Sequence, residues 1–173
     1  MLLPPILMAA AAALLLAAAA HDIVARTVPN TASVLVALIG LAARGLDGKL
    51  LTGCLAAAAV FLIAAFCWRR GWLGGADVKL LGAAALTVPP QAVPSLIIAI
   101  SIAGSILAVL YLLAGRIARA VHHPLVRNGA VDNIDRPSGL LKRAWRVEAW
   151  RLRRGGPLPY ACAIAAGFIF TLF

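Results

Sequence analysis

Two acidic residues, Asp22 and Asp77, stand at the edges of long uncharged runs in a chain of 173 residues that is 63% hydrophobic and only 13% charged. An ionisable side chain at the border of hydrocarbon is costly to keep, which makes each a functional candidate. When two carboxylates approach closely in such a setting their charges repel, so one holds a proton while the other is ionised. That state suits peptide hydrolysis: the ionised partner draws a proton from water as the water attacks the carbonyl carbon, and the protonated partner polarises the carbonyl oxygen. The same two acids would also serve as relay groups in a small proton-coupled transporter, or simply lie among headgroups beside an arginine. Residue type and spacing leave these readings open.

The local contexts sharpen the picture. Around the first acid the chain reads His21-Asp22-Ile23-Val24-Ala25-Arg26-Thr27-Val28-Pro29-Asn30. Pro29 and Asn30 are expected to form a turn and a helix N-cap that reverse the chain, leaving Asp22 at the inner end of the first helix. Around the second it reads Gly74-Gly75-Ala76-Asp77-Val78-Lys79-Leu80-Leu81-Gly82. Gly74 and Gly75 leave room for a substrate backbone to come close. Lys79 is offset from Asp77 on a helix and is expected to snorkel toward phosphate.

The elements that must position these acids are membrane helices. Uncharged runs cover 1–20, 27–43, 50–68, 80–115 and 155–173, each near or above the roughly 20 residues that span a bilayer, and the fourth is long enough for two spans. Pro89, Pro90 and Pro94 divide that run, because a proline cluster stops a helix and turns the chain. The expected fold is therefore all-α and polytopic, a single membrane-embedded domain over 1–173 with six transmembrane helices at 2–21, 30–43, 50–68, 76–90, 94–115 and 157–173. From Asp77 to Pro89 is only about 18 Å of helix, well short of a hydrocarbon core of roughly 30 Å. Asp77 is thus expected to be recessed, unless the fourth helix continues past its prolines.

A net charge of +10 would fit nucleic-acid binding, but its distribution points to a membrane instead. With the loop after the first helix placed in the cytoplasm, fourteen Lys and Arg fall on that side and only Arg44 and Lys49 on the other. This asymmetry predicts both termini outside and both aspartates on the cytoplasmic side. The polar segment 116–156 becomes a basic cytoplasmic loop. Within it Leu141, Ala144, Trp145, Ala149 and Leu152 share one helical face, as an interfacial helix on an anionic cytoplasmic leaflet would, although an ordinary topology loop fits as well. The first twenty residues do not read as a signal peptide, because no basic region precedes the apolar run.

The remaining polar residues carry less. Cys54, Cys67 and Cys162 are isolated within spans, with no CxxC pair, so neither a zinc site nor a disulfide framework is indicated. His21, His122 and His123 lack partners in a ligand pattern. Asp47 lies in a short outer loop, Asp132 and Asp135 in a turn-rich stretch, and Glu148 on a mixed helix. Nothing in this chemistry calls for a metal or an organic cofactor.

The segment from Asp22 to Pro29-Asn30, together with Gly74-Gly75-Ala76-Asp77-Val78-Lys79-Leu80-Leu81, resembles the two signature regions of the type IV prepilin leader peptidases, membrane aspartic proteases of the GxGD type. Pro159-Tyr160-Ala161-Cys162-Ala163-Ile164-Ala165 resembles that family's last-helix motif. The resemblance implies that Asp22 and Asp77 are the catalytic pair and that Gly74, Gly75 and Ala76 border the substrate, with Ala76 replacing the motif's second glycine. It implies an endopeptidase in a bacterial inner membrane that removes the leader of a type IV (Flp-type) pilin-like precursor at the cytoplasmic face. Larger members carry an amino-terminal cytoplasmic region associated with methylation, often with paired cysteines. A chain that starts directly with a span resembles the short Tad/Flp branch, which is expected only to cleave. The competing classes are the proton-coupled transporter, which predicts carboxylates along a through-path, and a noncatalytic subunit of a pilus or secretion assembly, which would tolerate loss of both acids.

Overall fold

The computed structural model describes residues 3–25, 27–120 and 158–172. Among them six α-helices follow one another: α1 (Leu3–Ala25), α2 (Asn30–Leu46), α3 (Leu50–Arg69), α4 (Gly75–Thr87), α5 (Val93–Ala120) and α6 (Tyr160–Leu172). The all-α expectation holds. The proposed interfacial helix at 141–154, together with His122, His123, Asp132, Asp135 and Glu148, lies outside the described residues.

The reversals between helices follow local chemistry. Between α2 and α3 the chain turns at Gly48, and between α3 and α4 at Gly71, with φ of 66° and 76°, a left-handed conformation that glycine adopts without steric penalty. Between α4 and α5 the prolines act as expected. Val88 precedes Pro89 and is extended, with ψ of 155°, because a residue before proline is driven out of the helical region. Hence α4 ends at Thr87 and does not run on to residue 90, and a short 3-10 turn over Pro90–Ala92 leads into α5. At the other helix ends α1 continues past residue 21 to Ala25, which puts Asp22 inside its last turns. Pro29, with extended backbone, is the N-cap of α2, and Asn30 is its first helical residue. Asn30 therefore does not cap the helix as the sequence implied.

By contact the chain forms two compact units, Met1–Ser105 with Pro159–Phe173, and Ile106–Leu158. In the first, α4 is the central element, packed against α1, α2, α3 and α6. Val78 and every residue from Leu80 to Thr87 are buried. Beyond Lys79 this helix is apolar all round because its neighbours cover it. Small residues set its distance from its neighbours: a Cβ on Gly40 of α2 would fall 2.9 Å from the carbonyl carbon of Leu86. The same holds between α6 and α5, where a Cβ on Gly167 would fall 2.5 Å from the Ile100 nitrogen. Close backbone approach through small residues is how helices associate where no hydrophobic effect drives them together.

The outer helices show the complementary pattern. On α3, Leu51, Leu55, Leu62, Ile63 and Phe66 are exposed. Three helical stretches, Pro5–Ala25, Leu50–Arg69 and Pro90–Arg116, are long and apolar enough to cross a bilayer. On α5 the hydroxyls of Ser101 and Ser105 donate to the carbonyls of Ile97 and Ser101, which satisfies them within the helix as an apolar surrounding requires. The protein is a multi-pass membrane protein. With 13 residues, α4 is about 20 Å long at 1.5 Å per residue, so it is too short to cross alone and is carried by its neighbours.

Candidate active site

Asp77 is the third residue of α4, after the N-cap Gly74. Its backbone N–H donates to the Gly74 carbonyl at 3.1 Å, and its carboxylate accepts from the Gly74 N–H. This is the acidic half of a capping box: the side chain at the third position closes back on the N-cap amide, while a glycine at the N-cap has no side chain to return the bond. Gly74 has an ordinary backbone, with φ of −75° and ψ of 142°, so conformational freedom does not explain the glycine there. Space does: a Cβ at Gly74 would lie 2.7 Å from Oδ2 of Asp77. Gly75 is half-buried, and a Cβ there would lie 3.3 Å from Nε1 of the Trp68 indole at the end of α3. Ala76 follows, also half-buried.

Asp22 reaches the same place from the other direction, on the last turns of α1. The chain leaves that helix through a short reversal that His21 braces, its Nδ1 donating to the Thr27 carbonyl at 2.6 Å. Both aspartates are half-buried, and their carboxylates lie close enough to act on each other electrostatically. The two motif segments are tied together on the far side of α4 as well, where Lys79 Nζ donates to Oδ1 of Asn30 at 2.9 Å. Lys79 thus has a specific partner from the first motif, where the sequence pointed to a free snorkelling cation.

Sequence reasoning quoted Tyr160 within the last-helix motif and gave it no role. The structure places it at the start of α6, near enough to Asp77 to feel its charge, with its ring against α5: a Cβ on Gly104 would lie 3.4 Å from the phenolic oxygen. No local signal in the sequence marks it, since its neighbours are supplied only by the tertiary fold. Among the described residues no group of three or more His, Cys, Asp or Glu side chains is placed to hold a metal ion.

At the opposite end of α4 a second polar cluster forms. Arg44, in the last turn of α2, is only 4% exposed at its side chain, and its Nη1 lies 3.0 Å from Oδ2 of Asp47. Its Nη2 donates to the carbonyl of the fully buried Thr87 at 3.3 Å. Gly53 of α3 makes room for it, since a Cβ there would fall 2.7 Å from the Arg44 Cγ.

The architecture and the site together define a polytopic helical membrane protein that gathers two carboxylates at the head of a buried, short central helix. The sequence profile of the type IV leader peptidase family matches residues 9–109, a stretch that includes both aspartates, the Gly74–Lys79 segment and the proline turn. The chain belongs to that family and is a peptidase. No curated protein and no solved structure matches it significantly.

Proposed function

We propose that the protein is an aspartic endopeptidase that removes the leader of a type IV pilin-like, Flp-type precursor. On this reading Asp22 and Asp77 are its catalytic pair, and Gly74, Gly75 and Ala76 border the scissile bond. The observation that carries the proposal is the meeting of two half-buried carboxylates from separate helices in a chain of this peptidase family.

The pair holds one proton between its members. The ionised carboxylate takes a proton from the attacking water, while the protonated one donates to the carbonyl oxygen, giving a tetrahedral gem-diol. Collapse of that intermediate breaks the C–N bond as a proton passes to the leaving amine, and the pair returns with one proton. The leader's new carboxyl end and the mature chain's new amino end are the products. No step needs a metal.

On this reading the site faces the cytoplasmic side of a bacterial inner membrane, the side on which the basic residues of the sequence, those of 116–156 included, are concentrated. Exposed Trp68 and Trp72, beside Arg69 and Arg70 at the same end as Asp77, suit an interfacial belt there. A transporter is less well supported, because from Leu80 to Leu86 the centre of the bundle is apolar and offers no relay beyond the two acids. The test is co-expression with a candidate precursor, read as a size shift on a gel. Cleavage that vanishes in Asp22→Asn and Asp77→Asn supports the reading, and cleavage that persists in both overturns it.

A further inference from the structure

The two aspartates belong to separate helices, so their separation depends on what holds the first motif segment against the second. Among the described residues the contacts around them close a ring. From Asp77 the chain runs two residues along α4 to Lys79, whose Nζ donates to Oδ1 of Asn30 at 2.9 Å. Asn30 opens α2, and the Pro29 carbonyl before it accepts from the Ala32 N–H at 3.0 Å, which starts that helix. Two residues further back, the Thr27 carbonyl takes the 2.6 Å bond from Nδ1 of His21, the residue next to Asp22. The ring thus passes from one acid to the other around the far side of α4.

Packing alone does not fix the head of α2. Further along, α2 meets α4 at backbone distance, where a Cβ on Gly40 would fall 2.9 Å from the Leu86 carbonyl carbon. Toward α3, however, the head of α2 borders a cavity of about 610 Å³, lined there by Asn30, Ser33 and Val34. From Gly40 back to Asn30 is about 15 Å at 1.5 Å per residue, so a swing of about 4° about the Gly40 contact carries the head through about 1 Å.

We infer that Lys79 and Asn30 are positioning residues: their hydrogen bond pins the head of α2 to α4 and so sets the distance between the Asp22 and Asp77 carboxylates. The inference rests on the proteolytic reading and adds to it two residues that act through the aspartates. A single hydrogen bond at an exposed site contributes little to stability, yet displacing a catalytic group by about 1 Å can cost about a hundredfold in rate. The bond should therefore count far more in turnover than in folding. A lysine that held the substrate would act on KM instead.

The experiment uses the full chain in membranes with the candidate precursor. Lys79→Met keeps the length of the side chain and removes its donor, and Asn30→Leu removes the acceptor. Each is expected to lower kcat by at least about tenfold, with KM and melting temperature matching those of Thr52→Ala, a control that loses a comparable exposed bond to the Lys49 carbonyl. The double variant should be no slower than the slower single one, because both substitutions remove one interaction. Lys79→Arg and Asn30→Asp keep donor and acceptor and should retain activity. A rise in KM at unchanged kcat, losses that add in the double variant, a melting temperature that falls in step with kcat, or full activity in Lys79→Met overturns the inference.

A second arm does not depend on cleavage. Asp22→Cys and Asp77→Cys are combined in a chain whose own Cys54, Cys67 and Cys162 are replaced by alanine, and the two positions are joined with a short bifunctional thiol reagent. Lys79→Met should slow the joining severalfold and Thr52→Ala should not, whereas equal rates in both overturn the inference. Slowed joining in a protein whose wild-type form never cuts a precursor would sink the proteolytic reading and leave the positioning role standing.

Discussion

At the first turn of α4 two like charges, Asp22 and Asp77, are brought within reach of each other, whereas at its last turn opposite charges, Arg44 and Asp47, are paired at 3.0 Å. The second arrangement helps hold the bundle together: the guanidinium joins the end of α2 to the end of α4 through the Thr87 carbonyl, one of the helix-terminal acceptors that otherwise lack a partner. The first pairing is repulsive, although Asp77 by itself also accepts from the Gly74 N–H at the head of α4. Two carboxylates in a half-buried site oppose each other's ionisation, which on the proposed reading is the state that catalysis uses. Substitutions at the two ends should therefore separate activity from folding.

The largest effect is expected at the acidic end. Asp22→Asn and Asp77→Asn should each lower cleavage by at least about a thousandfold, roughly 4 kcal/mol in the barrier, with thermal stability in detergent unchanged or raised because the repulsion is gone. A large drop in melting temperature in both variants would show that the pair is structural after all. The wild-type chain should give a bell-shaped pH profile with a soluble peptide substrate. At low pH both carboxyls are protonated and no base remains; at high pH both are ionised and no acid remains. A profile with a single limb would contradict a shared proton.

Next comes Gly74→Ala. The backbone there permits alanine, so the damage should act through the Asp77 carboxylate that the new methyl would crowd at 2.7 Å. We expect a loss of cleavage of about tenfold to a hundredfold, about 1.4 to 2.7 kcal/mol, and no further loss when it is combined with Asp77→Asn. A normal rate in the alanine variant would disprove the spatial role given to Gly74. At the other end Arg44→Ala should do the reverse. It should destabilise the protein by about 2 kcal/mol, through the vacated packing space and the lost bond to the Thr87 carbonyl, while the cleavage rate per folded molecule stays near normal. Differential scanning fluorimetry alongside the peptide assay distinguishes these outcomes. The smallest effect is expected for Ala76→Gly, within about tenfold of wild type, or roughly 1.4 kcal/mol. A larger change would show that the motif's second glycine does more than leave space.

Much of this contrast was legible in the sequence at one end and hidden at the other. Asp22 and Asp77 stood out because a carboxylate beside a long apolar run has no ordinary reason to be there, and the prolines after residue 88 announced the end of α4. Arg44 and Asp47 read as an outer loop, yet Arg44 is buried in the last turn of α2. What buries it is the absent side chain of Gly53 on the next helix, a contact with no local signature. The partnership of Lys79 with Asn30 was invisible for the same reason, since it links motifs that only the tertiary fold brings together. Tyr160 was quoted and left without a role, because an aromatic at a helix start has no meaning until its neighbours are known. The glycines before Asp77 were read as room for a substrate backbone, but the groups nearest to them are the protein's own. One makes room for a carboxylate and the next for an indole.

The shortness of α4 has one more consequence. A helix that ends well inside the thickness of the bilayer, and is packed against four others, has its depth fixed by its neighbours and not by the surrounding acyl chains. A free single-span precursor finds its level by matching its own apolar length to the lipid. Acyl-chain length therefore becomes a tuning knob: thicker or thinner membranes slide the cleavage site past stationary carboxylates, and the rate should peak at one bilayer thickness and fall on either side.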